Sequence, residues 1–167
     1  MAAKKTTRKA ASKTCDVLVL LGSASDLPVV EKMPPLLERF GLSHQVEIAS
    51  AHRQPERLRR LVAKHERGGT SIFIAVAGMA AHLPGVVASL TSRPVIGVPV
   101  ASGPLGGVDA LLSMVQMPPG VPVATVAVGS AGARNAAVLA ARILALSSRT
   151  VAERLDEYRR ELARGGK

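Results

Sequence analysis

Residues 71–78 read SIFIAVAG, and the seven residues after Ser71 are all apolar or glycine. A strand with one wet face alternates apolar and polar side chains, so an unbroken run of this kind suits a strand buried on both faces. Four further runs punctuate the chain: CDVLVLLG at 15–22, HQVEIAS at 44–50, PVIGVPV at 94–100 and VPVATVAVG at 121–129. They recur about every 25 to 30 residues. Between them, segments 27–40, 55–68, 80–91, 107–116 and 132–147 have helical length and period. Strand and helix in alternation predict right-handed βαβ units and a parallel sheet with helices on both faces.

Two places bend this rhythm. Pro34 and Pro35 fall inside the first helical segment, where each removes a backbone donor, so a kink or a late-starting helix is expected. Beyond Leu146, SSRTVAERLDEYRRELARGG opens with capping residues and carries Val151, Leu155, Tyr158 and Leu162 at helical spacing. Nothing follows that could cover this stripe, which predicts a helix lying on a neighbouring subunit. The fold class read from these features is α/β, a three-layer α/β/α, doubly wound parallel sheet resembling flavodoxin, with a C-terminal helix. Its divisions are a disordered basic tail at 1–14, an α/β catalytic domain at 15–148 and the final helix at 149–167.

Composition narrows the function. The chain has 167 residues, 47% hydrophobic but only 2% aromatic, so one core of Val, Leu, Ile and Ala is expected. One cysteine, Cys15, excludes an internal disulfide and suits a reducing cytoplasm. No secretory signal is read, and His82, Pro84, Arg93 and Pro99 interrupt the apolar runs before a membrane span is reached. The net charge of +10 invites a nucleic-acid reading, but five of those charges are Lys4, Lys5, Arg8, Lys9 and Lys13. The body is only mildly basic and has few aromatic side chains for base stacking, so nucleic acid is a partner for the tail at most.

In an open parallel sheet, ligands bind beyond the carboxyl ends of the strands, where strand order reverses. GSASD, residues 22–26, offers Ser23 and Ser25 as hydroxyl donors and free amides at a helix start for an anion. Asp26 suits a sugar diol better than a phosphate, although, taken alone, Ser25 or Asp26 acting only as a cap is the commoner explanation of such a motif. SAHR, residues 50–53, places a proton shuttle, His52, beside a planar cation, Arg53. His44 and His65 lack such company and are expected at the surface. AGMAAHLPG, residues 77–85, surrounds His82 with small residues that let a ligand approach the backbone. A small-residue helix start packed beneath the sheet is the plain alternative, and two histidines without an acidic or thiol set give no metal site.

GSASD, SAHR, AGMAAHLPG, GVDALLSMVQMPPGVPVATVAVG and AGARNAA stand in the order and spacing of the N5-carboxyaminoimidazole ribonucleotide mutases, and from about Asp16 to Leu146 the chain resembles that family. The resemblance implies a cytoplasmic, flavodoxin-like homo-octamer of purine biosynthesis. It implies isomerisation of N5-carboxyaminoimidazole ribonucleotide to 4-carboxy-5-aminoimidazole ribonucleotide without metal or organic cofactor. It places Ser23, Asp26 and Arg53 on the ribonucleotide, with Ser25 and Ser50 around the phosphate. It makes His52 the general acid/base, and puts His82 at a carboxylate pocket formed with Ala77, Gly78 and Leu83 of the same segment. The related animal-type enzymes, which carboxylate aminoimidazole ribonucleotide directly with CO2, typically have Lys after the first histidine and a different segment for AHLPG. Arg53 and His82 therefore favour the mutase. The nickel-pincer-nucleotide carboxylases, of similar fold, use a cysteine in the segment corresponding to VQMPPG, which here has Met117 and no Cys. An anion- or nucleic-acid-binding module using the basic tail is the alternative of a different class. Met79, where the family often has Gly, Ala101, where Gln is frequent, and the Pro34-Pro35 pair depart from the family pattern.

Overall fold

The computed structural model describes residues 14–166. The basic tail, Thr14 excepted, lies outside the described residues. Five strands form one parallel sheet: β1 (Val17–Leu21), β2 (His44–Ile48), β3 (Ile72–Gly78), β4 (Val95–Val100) and β5 (Ala124–Thr125). Their order, β2-β1-β3-β4-β5, reverses between β1 and β3. The helices are α1 (Leu27–Val30), α2 (Met33–Arg39), α3 (Pro55–Arg67), α4 (Leu83–Leu90), α5 (Val108–Val115), α6 (Gly129–Ala145) and α7 (Arg149–Ala163).

Successive side chains of a strand point to opposite faces, and the core divides accordingly. Val17, Val19 and Leu21 of β1, with Ile72, Ile74 and Val76 of β3, pack under α2, α6 and α7. Leu18, Leu20, Phe73 and Ala75 face the other layer, with Leu58 and Val62 of α3 and Val87 of α4. All eight of β1 and β3's larger aliphatics named for these clusters are fully buried, and each such side chain contributes about 1.5 to 3 kcal/mol by leaving water. On α6 the inward face is Gly132, Ala133, Ala136, Ala137, Ala140 and Ala141. A Cβ on Gly132 would lie 1.6 Å from the Ala127 carbonyl oxygen, so only glycine admits the chain at that point.

The first helical segment is broken at Glu31 and Lys32, upstream of the prolines. Pro34 and Pro35 stand in the opening turn of α2, where a missing amide leaves no hydrogen bond unmade. The two edge strands differ from the doubly buried runs expected of them. Only Ala124 and Thr125 pair in VPVATVAVG, where Pro122 removes a donor just before the ladder. β2 is half solvated, and its outer side carries Glu47, paired with Arg57 at 2.9 Å.

His65 is not at the surface. It is fully buried, continuing the inward stripe of Leu58 and Val62, with its Nδ1 3.5 Å from Cys15 Sγ and 3.3 Å from Thr70 Oγ1. His44 keeps partial exposure on β2. The C-terminal stripe is largely covered within the chain. Val151 and Leu155 join the core, and Tyr158 meets Phe40 edge to face at 5.4 Å, while Arg39 lies over the same ring and pairs with Glu161. Of the four residues only Leu162 remains exposed.

Candidate active site

Four loops at the carboxyl ends of β1 to β4 enclose a cleft of about 460 Å³. It sits over the β1/β3 reversal, where two neighbouring connections leave in opposite directions and open a crevice. The loop after β1 is fixed by its own polar side chains. Ser23 Oγ accepts from the Ser25 amide at 3.3 Å and from Ser25 Oγ at 2.9 Å, and Asp26 Oδ2 accepts from the Ser23 amide at 3.0 Å. Asp26 is buried, and burial pushes its carboxyl above the ordinary range, a shift that the Ser23 amide partly offsets. Capping and lining of the cleft therefore coexist in the same three residues.

After β2, Ser50 Oγ accepts from the Arg53 amide at 3.3 Å and its Nε at 3.4 Å. Arg53 Nη2 also donates to the Gly22 carbonyl at 3.4 Å, which ties the second loop to the first and fixes a cation at the cleft wall. His52 and His82 come together: His52 Nε2 is 2.5 Å from His82 Nδ1, with ring centroids 4.7 Å apart and planes at 75°. One of the two nitrogens donates and the other accepts, so the pair shares a proton across two loops 30 residues apart. His82 is held there by the turn between β3 and α4, in which Met79 (φ +55°) and Ala81 (φ +41°) both adopt left-handed backbone.

Every residue singled out from the sequence lines this cleft: Ser23, Ser25, Asp26, Ser50, His52, Arg53, Ala77, Gly78, His82 and Leu83. Sequence reasoning passed over Ser102, on the loop after β4, which also lines it. A lone serine in a glycine-rich stretch carries no pattern, and only its place at a strand end could have marked it. Among the described residues no three His, Cys, Asp or Glu side chains group as a metal site.

The family model described as AIR carboxylase matches residues 16–165, nearly the whole described chain. This chain belongs to the AIR carboxylase family. The N5-carboxyaminoimidazole ribonucleotide mutase of Methanocaldococcus jannaschii is 51% identical over 146 residues, covering 87% of this chain and 89% of the relative. The enzyme of the same name from Escherichia coli K12 is 46% identical over 144 residues, covering 86% and 85%. The crystal structure of Treponema denticola PurE superposes with a TM-score of 0.82 at 31% identity, covering 89% of this chain and 92% of the other. The AIR carboxylase match includes all four loops of the cleft.

Proposed function

We propose that this cleft converts N5-carboxyaminoimidazole ribonucleotide to 4-carboxy-5-aminoimidazole ribonucleotide, a step of purine biosynthesis. The observation that carries the reading is the His52–His82 pair, set at the strand ends of a chain about half identical to mutases of that name. The isomerisation breaks the bond between N5 and the carboxyl carbon and makes one from that carbon to C4. Cleavage of N5–carboxylate needs one proton at nitrogen and releases CO2. Attack by C4 on that CO2 then leaves a proton on C4 that must be removed. One proton in and one out balance, and an imidazole, which can both take and give a proton, suits both transfers. His52 performs them in this reading, with His82 as its hydrogen-bonded partner at the carboxylate pocket.

The anchoring follows from the same loops. Arg53 offers a planar fork to the phosphate, with Ser25 and Ser50 beside it. Ser23 and Asp26 take the ribose, where a carboxylate accepts from hydroxyls. Ala77, Gly78 and Leu83 form a close, apolar wall in which CO2 is retained. Residues 15–148 carry the catalysis.

The assembly proposed is a homo-octamer working in the cytoplasm. Its support is the outward face of α5 with Leu105 of the preceding loop, where Leu105, Val108, Leu112 and Val115 are each more than half exposed. The final segment, 149–167, contributes to a neighbour's surface mainly through Leu162 of α7. No helix among the described residues is long and apolar enough to cross a membrane. The reaction is tested with substrate carrying carbon-13 in the N5 carboxylate. The label is expected at C4 with little dilution by unlabelled bicarbonate. Loss of label to solvent, with activity on aminoimidazole ribonucleotide rising in proportion to bicarbonate, replaces the mutase by a CO2-dependent carboxylase.

A further inference from the structure

We infer that Ser102 binds the carboxyl group that changes place, an inference that rests on the reaction proposed above. The order of the sheet assigns ends to the cleft. Arg53 stands after β2 and Ser23, Ser25 and Asp26 after β1, so the polar anchors occupy one side. Across β3 lies the loop after β4, and Ser102 is its only residue in the cleft wall. A ribonucleotide whose phosphate and sugar meet the β2 and β1 loops directs its base toward β3 and β4.

At that end the wall is poor in side-chain donors. Ala77, Gly78, Met79, Ala80, Ala81 and Leu83 contribute none. A migrating carboxylate, and the CO2 between its two attachments, present only acceptor oxygens. Besides the paired His52 and His82, Ser102 is the one side chain at this end of the cleft able to donate to them. Its hydroxyl is also uncommitted. Ser23, Ser25 and Ser50 use theirs within the loops, whereas Ser102 Oγ makes no hydrogen bond among the described residues. The Ser102 amide, bonded to the Val100 carbonyl at 2.9 Å, fixes the backbone from which that hydroxyl projects.

Gly78 makes room for it. A Cβ there would lie 2.5 Å from Ser102 Oγ and 2.8 Å from Ser102 Cβ. Gly78 does not have a positive φ, so space and not conformation demands glycine at this strand end. The smallest residue and the free hydroxyl are thus matched across β3 and β4.

The test compares two ligands in the full chain and in Ser102→Ala, which removes the hydroxyl at nearly constant volume. Binding is measured for aminoimidazole ribonucleotide, which lacks the carboxyl, and for 4-carboxy-5-aminoimidazole ribonucleotide, which has it. Affinity for the carboxylated nucleotide should fall about 10- to 100-fold, as for a lost hydrogen bond to a charged group, while that for the other stays within about twofold. In turnover, Ser102→Ala should release more labelled carboxyl to bicarbonate than the unaltered enzyme does. Unchanged affinities with unchanged label retention overturn the inference, and equal weakening of both ligands moves the hydroxyl to the shared part of the nucleotide and overturns it too. If the unaltered enzyme itself transfers no label to C4, the proposed reaction fails first and takes this inference with it. A variant that matches the unaltered enzyme in a working transfer refutes Ser102 alone.

Discussion

His52 and Arg53 are neighbours in the chain but face different chemical demands, and substitutions should separate them. His52→Asn keeps a polar side chain of similar reach yet cannot carry a proton at neutral pH, so kcat should drop at least about 100-fold while the ribonucleotide still binds. Arg53→Lys keeps the charge and loses the fork, along with the bonds to Ser50 and the Gly22 carbonyl, so KM should rise with a smaller change in kcat. Steady-state kinetics with a direct binding measurement distinguishes the two, and a parallel loss in both variants would contradict the division of roles. His65 poses a different question at the opposite, amino end of the strands, beside Cys15 and Thr70. Burial holds its imidazole below the ordinary value of 6.5, and its Nε2 is buried without a partner. The unfolded chain therefore binds a proton there more readily than the folded one, so stability is complete above about pH 6.5 and declines as pH falls below it. His65→Gln, which cannot titrate, should show a shallower loss of thermal midpoint between pH 6.5 and 5. Equal slopes would mean that the acid sensitivity arises elsewhere.

The turn from β3 to α4 sets the cost of bringing His82 to His52. A non-glycine residue in left-handed backbone is strained by about 1 to 2 kcal/mol, and this turn holds two of them, Met79 and Ala81. Met79→Gly should raise the stability to urea by about 1 kcal/mol, whereas Met79→Ala, which keeps a Cβ at the same φ, should not. A gain in both variants would attribute the effect to the exposed thioether and not to the backbone. The sequence showed Met79 as a departure from the family pattern, but φ is no property of composition, so the strain was invisible in it. What was legible follows the strength of each local signal. β1, β3 and β4 were readable as apolar runs because both faces are buried, while β2 and β5 were overdrawn because an edge strand shares only one ladder and tolerates proline or charge. Pro34 and Pro35 were read as a kink or a late-starting helix, and α2 does start late, at Met33, with both prolines in its first turn, where a missing amide costs no hydrogen bond. The inward placement of His65 was readable from its spacing to Leu58 and Val62 and was missed by treating histidine as polar. The loops after β1, β2 and β3 carried recognisable motifs. Their mutual approach across the cleft, and Ser102 beside Gly78, required the sheet order.

At the scale of the whole molecule, α5 is apolar on both sides, a pattern that a helix at a protein surface does not keep when it faces water. Ala110 and Met114 are fully buried inward against the sheet. Leu105, Val108, Leu112 and Val115 form a stripe outward, with exposures of 62%, 57%, 53% and 52%. The last helix, by contrast, has spent most of its apolar residues on Phe40 and α6 within its own chain. The uncovered surface that argues for association has thus moved from the C-terminus to α5, next to the loop that carries Ser102. An exposed apolar stripe of this kind supports the proposed contact between subunits, and in closed symmetric assemblies the same patch serves on every copy. Leu112→Asp places a charge on the stripe without entering the core. Light scattering at micromolar concentration should show the unaltered protein as a large oligomer and the variant at a lower mass, with the same circular dichroism. If the variant keeps the full mass, α5 faces solvent in the assembly and another surface joins the copies. If the unaltered protein is monomeric, the proposed octamer falls, and the cleft must then be complete within one chain.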